Sequence, residues 1–169
     1  MNIVIHRRLQ GPVAEEIVTV ATELTGEWFT EDVAPATRRD LLFHDVVCGT
    51  EDGRIRAFIM FTSHDGAILI TLMGTSPEYR GRGLGSELMQ RLVSHAKELG
   101  FGEIVAFTVP PTSKPAYQST LGFYRKHGFA VVKRYTELWQ SGAWELRKSL
   151  NDNSQQSPSA DPARGAAEG

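Results

Sequence analysis

The chain has 169 residues, 41% of them apolar, with 18 Lys and Arg against 20 Asp and Glu and a formal net charge of -2. That length suits one domain with a sizeable core, and the near-balanced charge leaves no electrostatic footprint for nucleic acid. No apolar run approaches membrane-spanning length, Met1 to Arg8 alternates like a strand rather than a signal peptide, and the single cysteine, Cys48, excludes an intramolecular disulfide, which suits a reducing cytoplasm.

Asn2 to Leu9 alternates as a first strand, and Gly11-Pro12 opens a helix whose apolar positions Val13, Ile17, Val20 and Leu24 keep a helical period up to Gly26. A second helix is expected within Glu31 to Phe43. Three strands follow, Val46 to Thr50, Arg54 to Thr62 and Ala67 to Met73, and the Asp52-Gly53 and Asp65-Gly66 turns between them predict an antiparallel meander. Cys48 lies in the apolar stretch Val46-Val47-Cys48 and reads as core packing rather than as a nucleophile. Leu84, Leu88, Leu92, Ala96 and Leu99 form the apolar stripe of a helix that Gly100 caps. Ile104 to Val109 is a buried strand ended by Pro110-Pro111, Tyr117 to His127 a helix capped by Gly128, and Phe129 to Tyr135 with Ala143 to Ser149 a closing hairpin. Residues 151–169 carry no large apolar side chain and read as a disordered tail, which leaves a folded unit of residues 1–150.

The stretch from Ser76 to Ser86 (SPEYRGRGLGS) joins the third meander strand to the Leu84 helix. A strand that enters a glycine-rich loop and leaves as a helix is an anion site: the glycines let backbone N–H groups converge, and the helix N-terminus adds partial positive charge. A dinucleotide fingerprint, Gly-x-Gly-x-x-Gly, fails, because the third position is Ser86 counted from Gly81 and Leu88 counted from Gly83. A P-loop fails because no Lys follows these glycines at the required spacing.

What remains is Arg80-x-x-Gly83-x-Gly85, preceded by Pro77, and it resembles the pyrophosphate loop of the GNAT acetyltransferases. A second motif, Leu121 to Phe129 (LGFYRKHGF), resembles that family's helix with an aromatic-Tyr pair followed by Gly-Phe. The element order βααβββαβαββ agrees over nearly all of residues 1–150, so the fold expected is α/β (α+β), a mixed, mostly antiparallel sheet flanked by helices.

The resemblance implies acetyl-CoA as co-substrate. Met73, Gly74 and Thr75 would hold the pantetheine and thioester through the strand backbone at a gap in the sheet, and Arg80, Gly81, Arg82, Gly83, Leu84, Gly85 and Ser86 would cradle the pyrophosphate. Read without it, Met73 is a core residue and Arg80 and Arg82 a solvated surface pair. The resemblance also implies that Tyr124 points at the coenzyme sulfur, where a neutral hydroxyl suits protonation of a departing thiolate; the alternative is a structural tyrosine. Many family members carry Asn seven residues before this tyrosine, whereas this chain has Tyr117.

An attacking amine must shed a proton, and Ile68 to Thr75 has no carboxylate to take it. Glu27, Glu31, Asp32, His44 and His64 are the candidate bases, each also readable as a surface residue or turn former. Trp28 and Phe29 beside Glu27, Glu31 and Asp32 suggest an aromatic, acidic wall for a cationic acceptor, or a plug at the helix–helix junction. His95 reads as a polar-face residue and His127 as a partner of its helix dipole. The expectation is an N-acetyltransferase acting on a primary amine by direct attack, the alternative a non-catalytic acyl-CoA sensor. Expected partners are acetyl-CoA and an amine acceptor, with a homodimer left open, and with no metal, nucleic acid or membrane.

Overall fold

The structure, a computed structural model, describes residues 1–151. The expected tail therefore falls, after Asn151, outside the described residues. Seven strands, β1 (Asn2–His6), β2 (Asp45–Glu51), β3 (Arg54–His64), β4 (Ala67–Thr75), β5 (Glu103–Thr108), β6 (Ala130–Tyr135) and β7 (Ala143–Ser149), form one sheet in the order β1-β2-β3-β4-β5-β7-β6. The helices are α1 (Pro12–Glu23), α2 (Val33–Asp40), α3 (Leu84–Glu98) and α4 (Tyr117–Lys126), with a 3-10 turn at Pro77–Tyr79. Chain order and the mostly antiparallel mixed sheet are as the sequence predicts.

Both meander turns follow from their Asp-Gly pairs. Asp52 and Gly53 take φ 53 and 72, and Asp65 and Gly66 take φ 49 and 76, the two successive positive values of a two-residue hairpin turn. Pro12 sits at the start of α1, where its missing N–H is harmless.

Each sheet face has its own helix pair. Ile17, Val20 and Ala21 of α1, its C-cap Leu24 and Ala34 of α2 pack on Val46, Cys48, Phe58 and Met60. Leu84, Leu88, Met89 and Leu92 of α3 and Leu121 and Tyr124 of α4 pack on Val47, Ile59, Ile68, Ile70 and Leu146 from the other side. The buried helical stripes are slightly shorter than the sequence periodicity predicts. Val13 is 39% exposed and Leu99 56%, since Val13 precedes the first buried residue of α1, Ala14, and Leu99 follows the last of α3, Ala96. The first strand ends at His6 rather than Leu9, and Arg8 at φ 48 turns the chain away.

The central irregularity is the β4–β5 junction. These strands run parallel and pair at Ile68↔Ile104, Leu69↔Val105 and Ile70↔Ala106 only. Beyond Ile70, β4 continues to Thr75 paired on its β3 side alone, so a fork opens between β4 and β5. At the base of the fork the register to β3 slips: Phe61 faces Ile70 but Met60 faces Leu72, which leaves Thr71 as the extra residue of a β-bulge.

Candidate active site

The glycine loop follows from the end of β4. Ser76 is buried, its N–H donating to the Arg56 carbonyl (2.8 Å) and its hydroxyl to Glu23 Oε2 (2.6 Å), so the strand end is pinned before the chain turns. Gly81 and Gly83 then take φ 72 and 83, a left-handed backbone that side chains with a Cβ rarely adopt. Gly83 is the N-cap residue of α3 and supplies no side chain to cap it, so the N–H groups of Leu84, Gly85 and Ser86 begin the helix without in-helix acceptors. That is an anion cradle with the positive end of the helix dipole behind it. Leu84 anchors it in the core, and a Cβ on Gly85 would stand 3.4 Å from the Phe123 ring, so glycine lets α3 and α4 approach closely.

Arg80, Arg82 and Ser86 of the loop are engaged within the protein. Arg80 Nη1 donates to Glu27 Oε1 (3.1 Å) and its guanidinium lies 5.5 Å from the Trp28 ring centroid. Arg82 and Arg56 both stack on Tyr79, at 4.7 and 4.6 Å. Ser86 Oγ lies 3.0 Å from Nε2 of His127, whose ring packs on Phe123 at 4.7 Å. His127 does cap α4, but its imidazole spans to the start of α3, and burial, then Lys126 and Lys148, hold its pKa below the usual histidine value.

Met73, Gly74 and Thr75 line the fork. They pair with Ile59, Phe58 and Ala57 of β3, which leaves the opposite backbone edge of β4 turned towards β5 and unpaired by it. Met73 packs with the α3/α4 core, where the Tyr124 hydroxyl donates to its Sδ at 3.3 Å. Tyr124 is only 3% exposed, wedged against Phe129 and Phe123 at ring centroid distances of 5.2 and 5.7 Å, and burial pushes its pKa well up, so the phenol stays neutral. Gly74 faces the other core, where a Cβ would come 2.7 Å from Leu24 Cδ1.

The segment after α1 crosses over to the glycine-loop side. Tyr117 donates its hydroxyl to the Trp28 carbonyl (2.7 Å) and meets the indole edge-on at 5.4 Å, while Lys114 Nζ donates to the Glu27 carbonyl (2.7 Å). The Trp28 indole Nε1 is buried without a partner among the described residues. Phe29 packs partly into the α1/α2 core. The cation over Trp28 is thus the protein's own Arg80, and Glu27 is its counter-ion. Glu31 is exposed. Asp32 accepts the Thr30 hydroxyl, and that bond and its own backbone N–H hold its carboxyl below the usual range, the wrong direction for a base near neutral pH.

The two candidate histidines separate. His64 closes the β3–β4 hairpin at the end of β4 remote from the fork, with a 68% exposed side chain beside Asp65. His44 lies at the fork's base, Nδ1 3.3 Å from the bulged Thr71 Oγ1, which also contacts the Met60 carbonyl at 3.2 Å. His95 leans on the Phe61 ring at 5.9 Å and on Glu98, far less solvated than a polar-face residue. Ser119 donates locally to the Ala116 carbonyl. Cys48 is fully buried, its thiol pushed up to about 12 by burial, as core packing requires. Among the described residues no three His, Cys, Asp or Glu side chains group as metal ligands, and no helix is long and apolar enough to cross a membrane. Sequence reading missed Thr71, Glu23 and Lys114: a register slip, a buried strand-end contact and a cross-loop tether carry no periodic signal.

No curated protein sequence matches this one. Among solved structures, the chain is similar to a GNAT-family protein from Desulfovibrio desulfuricans (TM-score 0.76, 17% identity, 89% of this chain and 100% of that one). It is also similar to the ribosomal-protein-S18-alanine N-acetyltransferase of Escherichia coli (TM-score 0.69, 13% identity, 92% and 100%). A third likeness is to the PaiA N-acetyltransferase of Thermoplasma acidophilum in complex with coenzyme A (TM-score 0.67, 18% identity, 88% and 99%). The sequence pattern of the acetyltransferase (GNAT) family matches residues 15–129, more than half of the chain, and the chain belongs to that family.

Proposed function

We propose that this acetyltransferase moves the acetyl group of acetyl-CoA to a primary amine by direct attack, with both substrates bound at the β4–β5 fork. The observation that carries the reading is the fork itself: a β4 edge left without a strand partner from Thr71 to Thr75, with the Tyr124 hydroxyl beside Met73 on one face. These residues fit an extended pantetheine arm, because an unpaired strand edge offers N–H and C=O groups to any extended chain laid along it. Residues 80–86 fit the pyrophosphate by the uncapped α3 N-terminus, and Arg80 and Arg82 stand on the same loop to add charge.

Bound acetyl-CoA supplies an acetyl group activated as a thioester. Tyr124, a neutral donor held rigidly in the core, serves as the acid that protonates the departing sulfur. The single thiol is buried and poorly ionised, which favours direct attack over a covalent acetyl-enzyme. A cytoplasmic setting suits a chain whose one cysteine is a buried core residue. The acceptor is taken to lie near Trp28, Phe29, Glu31 and Asp32, on the face of the sheet opposite Tyr124.

The test is a thermal shift with acetyl-CoA, CoA and ATP, followed by an amine panel that detects released CoA thiol. Stabilisation by acetyl-CoA and CoA with thiol release on adding an amine is expected. Tight acetyl-CoA binding without turnover of any amine would instead mark a sensor, and stabilisation by ATP alone would remove the coenzyme A reading.

A further inference from the structure

The acetyl-transfer reading leaves the amine's proton without an acceptor, and the β4 bulge supplies one. Thr71 is the first β4 residue beyond the last pair with β5, so its side chain stands at the base of the fork. The bulge also changes which way the strand faces: Leu72 packs with the α1/α2 core and Met73 with the α3/α4 core. His44, from the α2–β2 connection, reaches Thr71 from the α1/α2 side, whereas Tyr124 reaches Met73 from the α3/α4 side. The two residues are thus attached two positions apart on β4, roughly 7 Å along the strand, and on opposite faces of it.

The hydrogen bonds fix the form of the imidazole. A threonine hydroxyl has one proton, and Thr71 Oγ1 touches both the Met60 carbonyl (3.2 Å) and His44 Nδ1 (3.3 Å). The carbonyl can only accept, so both contacts are satisfied in one arrangement alone: Nδ1–H donates to Oγ1, and Oγ1–H donates to the carbonyl. That places the proton of neutral His44 on Nδ1 and leaves the lone pair on Nε2, which has no partner among the described residues and belongs to a half-buried side chain open to an entering molecule.

We propose that His44 is the general base for the acceptor amine, taking its proton on Nε2, and that Thr71 is a positioning residue that holds the Nδ1–H tautomer. As the amine nitrogen bonds to the acetyl carbon, its proton passes to Nε2. The C–S bond breaks, its electron pair leaves on sulfur, and sulfur takes the Tyr124 proton. The imidazolium then releases its proton to water and the tyrosinate regains one from water, so the balance is amine plus thioester to amide plus thiol. Donation and removal of protons thereby occur on opposite faces of the fork.

The proposal rests on the acetyl-transfer reading, and the test separates the two. In 15N-labelled protein, His44 is expected as the Nδ1–H tautomer, and Thr71→Val is expected to release it to the Nε2–H form while Thr71→Ser retains it. His44→Asn keeps an amide donor near the Nδ1 position and removes the base. It is expected to lower kcat for an alkylamine by about 10²-fold or more at unchanged Tm, with a smaller loss for methoxyamine, whose nitrogen becomes acidic enough on bonding to the acetyl carbon to lose its proton to water. Imidazole added to His44→Ala is expected to restore part of the rate. An Nε2–H tautomer in the wild type, undiminished turnover by His44→Asn, or equal losses with both amines overturns the assignment of His44 alone. A wild type inactive towards every amine overturns both readings.

Discussion

Tyr124→Phe separates chemistry from packing more cleanly than any other single change. The ring is buried between Phe123 and Phe129, and phenylalanine fills the same space. Among the described residues, the one hydrogen bond lost runs from the hydroxyl to Met73 Sδ at 3.3 Å. A thioether is a weak acceptor, so that bond falls at or below the low end of the roughly 0.5–1.5 kcal/mol of an ordinary hydrogen bond, and deleting a buried hydroxyl returns part of it. The stability change should stay within about 1 kcal/mol, a Tm shift of about 4 °C or less for a chain of this size. A well-placed general acid contributes about 10²- to 10⁴-fold. A thiol with a pKa near 8.5 is a good leaving group, which puts this acid at the low end, about 10² in kcat at pH 7. The defect should narrow as pH rises through about 8.5, where thiolate departs unaided, and the KM for acetyl-CoA should hardly move. Thiol-release kinetics from pH 6.5 to 9.5, with Tm measured alongside, make the comparison. An undiminished kcat at pH 7 would refute the acid assignment, and a collapse of Tm would show that the hydroxyl is structural.

Four further changes probe the surroundings. Arg80→Ala is expected to weaken CoA binding about tenfold, in line with a lost charge-assisted bond, while Glu27→Gln frees Arg80 and tightens it. Because this ion pair is solvated, with side chains 35% and 61% exposed, Tm should barely change in either variant, and an unaltered CoA Kd in Arg80→Ala would remove Arg80 from the site. Gly74→Ala drives a Cβ to 2.7 Å from Leu24 Cδ1 and 3.2 Å from Phe58 Cε1. Overpacking of that kind costs about 1–3 kcal/mol, several degrees of Tm, and an unchanged melting curve would mean that Leu24 swings clear. For His127 the folded-state pKa lies below the unfolded value near 6.5, so the folded chain binds fewer protons there. Its contribution is full above that pH and is lost as pH falls below it, so His127→Gln should show a smaller drop in Tm between pH 7 and pH 5 than the wild type.

The elements were legible in the sequence because each carries a local signal: period-2 strands, Asp-Gly turns, and apolar stripes closed by glycine. The glycine loop was legible for the same reason, since its three glycines and the helix behind them are contiguous. Helix ends were harder, and Val13 and Leu99 show why: periodicity continues where a helix outruns the sheet beneath it. The site's side chains were harder still. Arg80 meets Glu27 across 53 positions and Thr71 meets His44 across 27, and such pairings follow from which strand end faces which loop. Five candidate bases looked alike in sequence. Placement, not residue type, distinguishes His44 at the fork from His64 at the far hairpin and from Glu27 in an ion pair.

Chain order explains how the fork comes to have two chemically different faces. The α1–α2 pair precedes the meander and covers one face of β4, while α3 and α4 follow it and cover the other. On the proposed reading, acceptor groups come from the segments ahead of β4, and donor groups from the end of β4 onward. The exception is the segment at Glu27 and Trp28, which belongs to the acceptor side but is held by Arg80, Lys114 and Tyr117 from the donor side. A phosphate that draws Arg80 away from Glu27 would loosen one of those three ties and leave a carboxylate uncompensated beside Trp28. Donor binding would thereby create negative charge where a cationic amine has to approach, so the acceptor should bind more tightly after acetyl-CoA than before it. By linkage the same coupling must appear in reverse, as tighter CoA binding in the presence of acceptor, and it should vanish in Glu27→Gln.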